Sequence, residues 1–194
     1  MPPPCIDSNM ANTTTEAHRL VTGVILAGGR SARMGQDKAG MAFHGETFLD
    51  RAARLLGKMR LANIVVLGRQ AAGEEQDAFP GPARALVRWL ETQDQPLNLL
   101  VIPVDMPALT RPPLEHLMAQ PNGAYYQDLY LPFYAPKARF EPHSGEPARL
   151  RELLEHWRLG AHAIKPEWKT SLAGVNTPHE LVQLEAAIKS QKTG

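Results

Sequence analysis

The residues best suited to chemistry fall in two short segments. The first, LAGGRSARMGQDK, Leu26–Lys38, closes an apolar run that begins at Val21. It combines Gly28, Gly29 and Gly35 with Arg30, Arg33 and Lys38. Glycines permit positive φ and bring backbone N–H groups close to an anion with no Cβ in the way. Arginine grips a phosphate bidentately, and lysine supplies a mobile point charge. Such a loop at the exit of a buried strand suits a polyphosphate. The dinucleotide pattern G-x-G-x-x-G fails, because after Gly28-Gly29 the next glycine is Gly35, and the P-loop fails because no Gly-Lys-Ser/Thr occurs here. A structural turn with surface charges is the other reading. Three glycines and three cations gathered behind one strand weigh against it.

The second segment is IPVDMP, Ile102–Pro107, with Asp105 directly behind another apolar run. By position alone Asp105 suits two roles, cap of the following turn or oxygen ligand of Mg²⁺. One carboxylate, waters and phosphate oxygens commonly hold that ion. Pairing with the glycine-rich loop favours the metal role.

The elements that must position these segments follow from periodicity. Val21–Ala27, Asn63–Leu67 and Leu97–Val104 are compact apolar runs of the kind found in buried parallel strands. Helical spacing marks Thr47–Met59, with Thr47 and Asp50 acting at its start much as a capping box does, and then Ala83–Glu91. A short helix is expected around Leu114–Ala119. The order β-α-β-α-β-α implies a parallel sheet wound with crossover helices. The rhythm then breaks. Ala124–Gln127 and Leu129–Tyr134 alternate as strands with no helix between them. A helix over Pro147–Arg158, the strand-like Ala161–Ile164 and the run Thr170–Val175 follow. The last helix opens on Thr177-Pro178-His179-Glu180, a capping box with proline at the first helical position. Gln70–Pro82 reads as a polar loop punctuated by glycine and proline.

Composition narrows the function classes. The 194 residues carry a net charge of +1, which argues against a generally basic nucleic-acid surface. One cysteine, Cys5, leaves no internal disulfide and no CxxC metal site. No apolar run approaches the roughly 18 residues needed to span a membrane. Residues 1–19, rich in Pro, Thr and Asn, are expected to be a disordered tail ahead of a single domain over 20–194. That tail lacks the apolar stretch of a signal peptide, so a cytoplasmic location is expected. The seven histidines lack HExxH spacing, and a transition-metal site is not expected. Trp89 and Trp157 fall on helices, where packing is the expected role. Trp168 and Tyr130 lie in the less regular half, where a second substrate can bind, and His143-Ser144-Gly145 could form a mobile loop there.

Together the segments resemble the MobA-like nucleotidyltransferases. Leu26–Lys38 match the family's LAGGxSxRMGxDK, Pro103–Pro107 its PxDMP-like segment, and Asn176–Leu181 its NTPxEL-like segment. The resemblance runs from about Val21 to Leu184 and implies an α/β fold, a Rossmann-like three-layer sandwich with a mostly parallel central sheet. It implies transfer of GMP from GTP to the phosphate of the molybdopterin cofactor, with release of pyrophosphate and with Mg²⁺ as cofactor. The implied partners are GTP and molybdopterin, with molybdoenzymes or other cofactor-biosynthesis proteins as further candidates. Carried over by position, Leu26, Ala27, Gly28 and Gly29 wrap the nucleotide, with Ser31 and Gly35 in the same pattern. Arg33 and Lys38 hold its phosphates. Asp105 holds Mg²⁺, and Asn176 lies near the metal or the acceptor phosphate. Asp77 stands in for an acidic nucleotide-binding residue. Three stretches depart from the pattern. Val66–Arg69 lacks an asparagine, Gly81–Ala85 reads GPARA for GPLAG, and Gly174-Val175-Asn176 replaces a pair of asparagines. A related transferase using CTP or a sugar phosphate, or a non-catalytic nucleotide-binding partner protein, are the alternatives.

Overall fold

A computed structural model describes residues 20–28, 41–68, 81–140 and 149–193. Strand β1, Val21–Leu26, is buried at all six positions. It pairs in parallel with β4, Asn63–Leu67, on one side and with β5, Leu97–Pro103, on the other. Between β1 and β4 lie a small hairpin, β2 (Ala42–Phe43) with β3 (Glu46–Thr47), and helix α1, Phe48–Lys58. The hairpin turn places His44 and Gly45 at φ of 53° and 80°, the two positive values of a type I′ turn. Helix α2, Pro82–Glu91, leads into β5. Helix α3, Arg111–Met118, leads to β6, Ala124–Tyr126, and the chain returns as β7, Leu129–Ala138. Then come α4 (Leu150–His156), β8 (Gly160–His162) and α5 (Pro178–Thr193).

The sheet order is β4-β1-β5-β7-β6-β8. β7 is antiparallel to both of its neighbours, and the other five strands share one direction. The mostly parallel α/β sandwich is therefore present. Successive residues of β1 and β5 point to opposite faces, as strand geometry demands. Ile25, Leu100 and Ile102 pack under α1, α3 and α5 with Leu56, Leu114 and Leu184. Val24, Leu26, Leu99 and Val101 pack under α2 and α4 with Leu86 and Leu153. At Gly23 the helix layer comes so close that a Cβ would lie 2.8 Å from Cδ1 of both Leu56 and Leu61.

Three outcomes differ from the sequence reading. β4 has the expected bounds but is not buried: it ends the sheet order, and Ile64 and Val66 are 36% and 39% exposed. An apolar run alone does not distinguish a central strand from a terminal one. The β2–β3 hairpin had no counterpart among the expected elements. The strand expected over Ala161–Ile164 spans Gly160–His162, and the run Thr170–Val175 that follows carries no regular element, with Leu172 N–H donating to the Trp168 carbonyl and Ala173 N–H to that of Thr170. The segments 1–19, Gly29–Gly40, Arg69–Pro80 and Glu141–Ala148 fall outside the described residues. Among the described residues no helix is long and apolar enough to cross a membrane.

Candidate functional site

From β1 the chain moves outward to β4, then returns past β1 to β5. The crevice outside the carboxyl ends of β1 and β5 is thus a topological switch point, the usual ligand position in an open α/β sheet. A cleft of about 360 Å³ occupies this place. Its wall comes from Leu26–Gly28 after β1, Pro103–Met106 after β5, and Leu129–Leu131 at the start of β7. Pro82, Leu150 and Gly174 complete it.

Backbone hydrogen bonds fix the floor. Leu26 stands in register with Leu67 and Pro103. One residue further, Ala27 N–H donates to the Leu67 carbonyl at 2.8 Å and Val104 N–H to the Leu26 carbonyl at 3.1 Å. The ladder therefore holds its shape up to the point where Gly28 and Asp105 leave it.

Asp105 is partly exposed between the buried Val104 and Met106. Its loop is braced from two directions. Arg51 of α1 donates from Nε to the Pro107 carbonyl at 2.8 Å, and its guanidinium carbon lies 4.7 Å above the Phe43 ring. Partial burial pushes the Arg51 pKa down from its ordinary value, against the pull of Glu46. From the other side, Val175 N–H donates to the Asp105 carbonyl at 2.8 Å. Asn176 follows at once, exposed, and is set by the helix behind it. The Glu180 carboxylate accepts from the N–H groups of Asn176 and Thr177 at 2.5 and 3.2 Å, and Glu180 N–H donates to Thr177 Oγ1 at 3.2 Å. This reciprocal capping box is the one expected from the sequence.

Leu26, Ala27, Gly28 and Asp105 thus share one cleft, and Asn176 is joined to Asp105 through Val175. Gly29, Ser31, Arg33, Gly35, Lys38 and Asp77 lie outside the described residues, as does His143-Ser144-Gly145. Among the described residues there is no group of three or more His, Cys, Asp and Glu side chains placed to hold a metal. A hard cation such as Mg²⁺ needs less from the protein, one carboxylate with waters and substrate oxygens. The oxygen donors of Asp105 and Asn176 fit that chemistry.

The departures from the family pattern have locations. Gly174 lines the cleft, its φ is not in the left-handed region, and a Cβ there would meet nothing within 4 Å. Arg84 is not among the described residues that line the cleft; Pro82, two residues earlier, is. The two aromatic candidates separate. Trp168 packs against His116 and Tyr126 at ring separations of 5.2 and 6.0 Å, with Lys165 Nζ 4.6 Å over its ring. Tyr130 lines the cleft. Trp157 is a packing residue, 6.0 Å from the Phe133 ring, with its Nε1 donating to the Arg139 carbonyl. Arg51 was absent from the candidate site residues. Its contact with Pro107 spans 56 positions of sequence, and no local pattern signals it.

The fold and cleft define an α/β protein with a candidate ligand site at the carboxyl edge of a mostly parallel sheet. A family model for the MobA-like NTP transferase domain matches residues 23–168, and the chain belongs to that family. It is 39% identical over 116 residues to a molybdenum cofactor guanylyltransferase of Xanthomonas euvesicatoria, covering 57% of this chain and 61% of that one. The chain therefore spans about three fifths of that relative's length. A probable molybdenum cofactor guanylyltransferase of Chloroflexus aggregans is 31% identical over 157 residues, 75% of this chain and 69% of the relative. In fold the chain resembles the molybdopterin-guanine dinucleotide biosynthesis protein A of Archaeoglobus fulgidus. The TM-score is 0.62 at 18% identity, covering 87% of this chain and 99% of that one.

Proposed function

We propose that this protein transfers GMP from GTP to the terminal phosphate of the molybdopterin cofactor, with Mg²⁺ as its cofactor. The supporting observation is the meeting of three segments at one cleft: the Leu26–Gly28 strand exit, Asp105, and Gly174, whose neighbour Val175 is tied to Asp105.

The reaction needs little from a general base. An oxygen of the acceptor phosphate, ionised at neutral pH, attacks the α-phosphorus of GTP. A new P–O bond forms, the bond to the β-phosphate oxygen breaks, and pyrophosphate leaves with its electron pair. Catalysis then consists of alignment and of neutralising charge on the leaving group. Leu26, Ala27, Gly28 and Gly29 contact the nucleotide. Arg33 and Lys38 supply cationic contacts to the phosphates. The Asp105 carboxylate and the Asn176 amide oxygen hold the metal. When bound, Mg²⁺ offsets negative charge on the phosphate oxygens. The Pro107 and Val175 contacts keep Asp105 from shifting as charge moves.

Thermal-shift titration of the purified chain with GTP, CTP, ATP and UTP in Mg²⁺ tests the nucleotide half. Stabilisation by GTP above the others is expected. Stabilisation by CTP in preference to GTP would move the protein to another branch of nucleotidyl transfer, and no response to any of them would point to a non-catalytic role.

A further inference from the structure

The sheet assigns sides to the cleft. β5, which carries Asp105, runs between β1 and β7. Gly28 follows β1 on one side. On the other, β7 pairs with β5 through Val101↔Phe133, and this register continued brings Leu131 level with Pro103. Leu129, Tyr130 and Leu131 therefore stand beside the Asp105 end of β5, across it from Gly28, and all three line the cleft.

Tyr130 stands out there. It is 42% exposed, among the few large hydrophobic side chains of the described residues left so open. The Tyr125 ring backs it at a centroid distance of 6.4 Å and a tilt of 30°. An open aromatic face on a cleft wall, supported by a second ring, matches a planar ligand ring rather than a phosphate. If the donor nucleotide enters from the β1 side and the transferred phosphorus sits near Asp105, what meets Tyr130 is the other substrate.

We infer that Tyr130, backed by Tyr125, is the stacking platform for the planar fused ring of the acceptor, and so a specificity residue for that substrate. This rests on the guanylyl-transfer reading for the identity of the acceptor. The chemistry that recognises it is ring-on-ring contact, with the phosphate arm reaching toward Asp105.

The test is direct acceptor binding. Molybdopterin is titrated into the full chain by anaerobic calorimetry, without GTP, for wild type, Tyr130→Phe and Tyr130→Ala. Loss of one ring-on-ring contact predicts acceptor affinity about tenfold weaker in Tyr130→Ala. Tyr130→Phe, which keeps the ring, stays within about twofold of wild type. GTP affinity, measured separately by calorimetry, is unchanged in both. Equal acceptor affinity in wild type and Tyr130→Ala, or no acceptor binding by wild type, overturns the inference. So does a Tyr130→Ala loss that falls on GTP instead. Acceptor binding that depends on Tyr130 in a protein without transferase turnover sustains the inference and overturns the proposed reaction.

Discussion

Val175 donates its backbone N–H to the carbonyl of Asp105 at 2.8 Å, joining the last turn before α5 to the loop behind β5. The bond uses main-chain atoms only, so the Asp105 carboxylate and the Asn176 side chain take no part in it. Asn176 is placed by this bond on one side and by the Thr177–Glu180 capping box on the other.

Thr177→Ala is expected to cost about 0.5–2 kcal/mol of stability, the usual loss for an N-cap hydroxyl. Because the cap also sets Asn176, turnover should fall by more than the unfolded fraction explains. Urea unfolding and turnover on one preparation check this. A variant that loses stability but no specific activity would remove α5 from the site.

Arg51 braces the Asp105 loop from the opposite side through Pro107. Arg51→Met removes a charged donor from a partly buried carbonyl and is expected to cost about 1.5–3 kcal/mol. Glu46 keeps two hydrogen bonds from Arg54, so its charge is not stranded. The activity loss should appear in kcat, since Arg51 does not line the cleft. Unchanged kcat in Arg51→Met would show that the loop needs no brace.

Gly174→Asn should be tolerated. A Cβ there enters open space, so the stability change should stay within about 0.5 kcal/mol. The new amide sits on the cleft wall and should alter acceptor affinity rather than folding. A large fall in Tm would mean that the glycine has a backbone role.

His116 gives a pH signature. Burial, then His162, then Lys165 hold its pKa below the ordinary value of 6.5. Its ring lies 5.5 Å from His162 and 5.2 Å from Trp168. The unfolded chain takes up this proton more readily than the folded one. Stability is therefore intact above about pH 6.5 and lost as pH falls through the lowered folded value. His116→Phe should flatten the Tm–pH curve on the acid side. An unchanged slope would assign the effect to other groups.

Local rules account for what could be read directly. β1 was legible because every position suits a strand buried on both faces, and α1 and α5 because Thr47 and Thr177 announce them. Thr47 Oγ1 accepts from Asp50 N–H at 3.1 Å, as its spacing implied. The exposure of β4 was not legible, since sheet order decides it and Asn63–Leu67 has the composition of a central strand. The hairpin left only a His44-Gly45 signal, with two residues on each side. Trp168 and Tyr130 looked alike in sequence. Pairing of β7 beside β5 brings one to the cleft, and the His116–Tyr126 cluster takes the other into packing. Arg51 and Val175 act through contacts with Pro107 and Asp105 that no neighbouring residue foretells.

Pyrophosphate release from GTP in the presence of molybdopterin and Mg²⁺, for wild type and Asp105→Asn, tests guanylyl transfer at this cleft most directly. Wild type should release pyrophosphate with GTP and not with CTP. Asp105→Asn, folded because its tether is a backbone carbonyl, should lose on the order of 10²–10³ in rate, the usual consequence of removing one transition-state charge contact. Wild-type turnover in folded Asp105→Asn, or release by wild type from CTP but not GTP, would contradict the account.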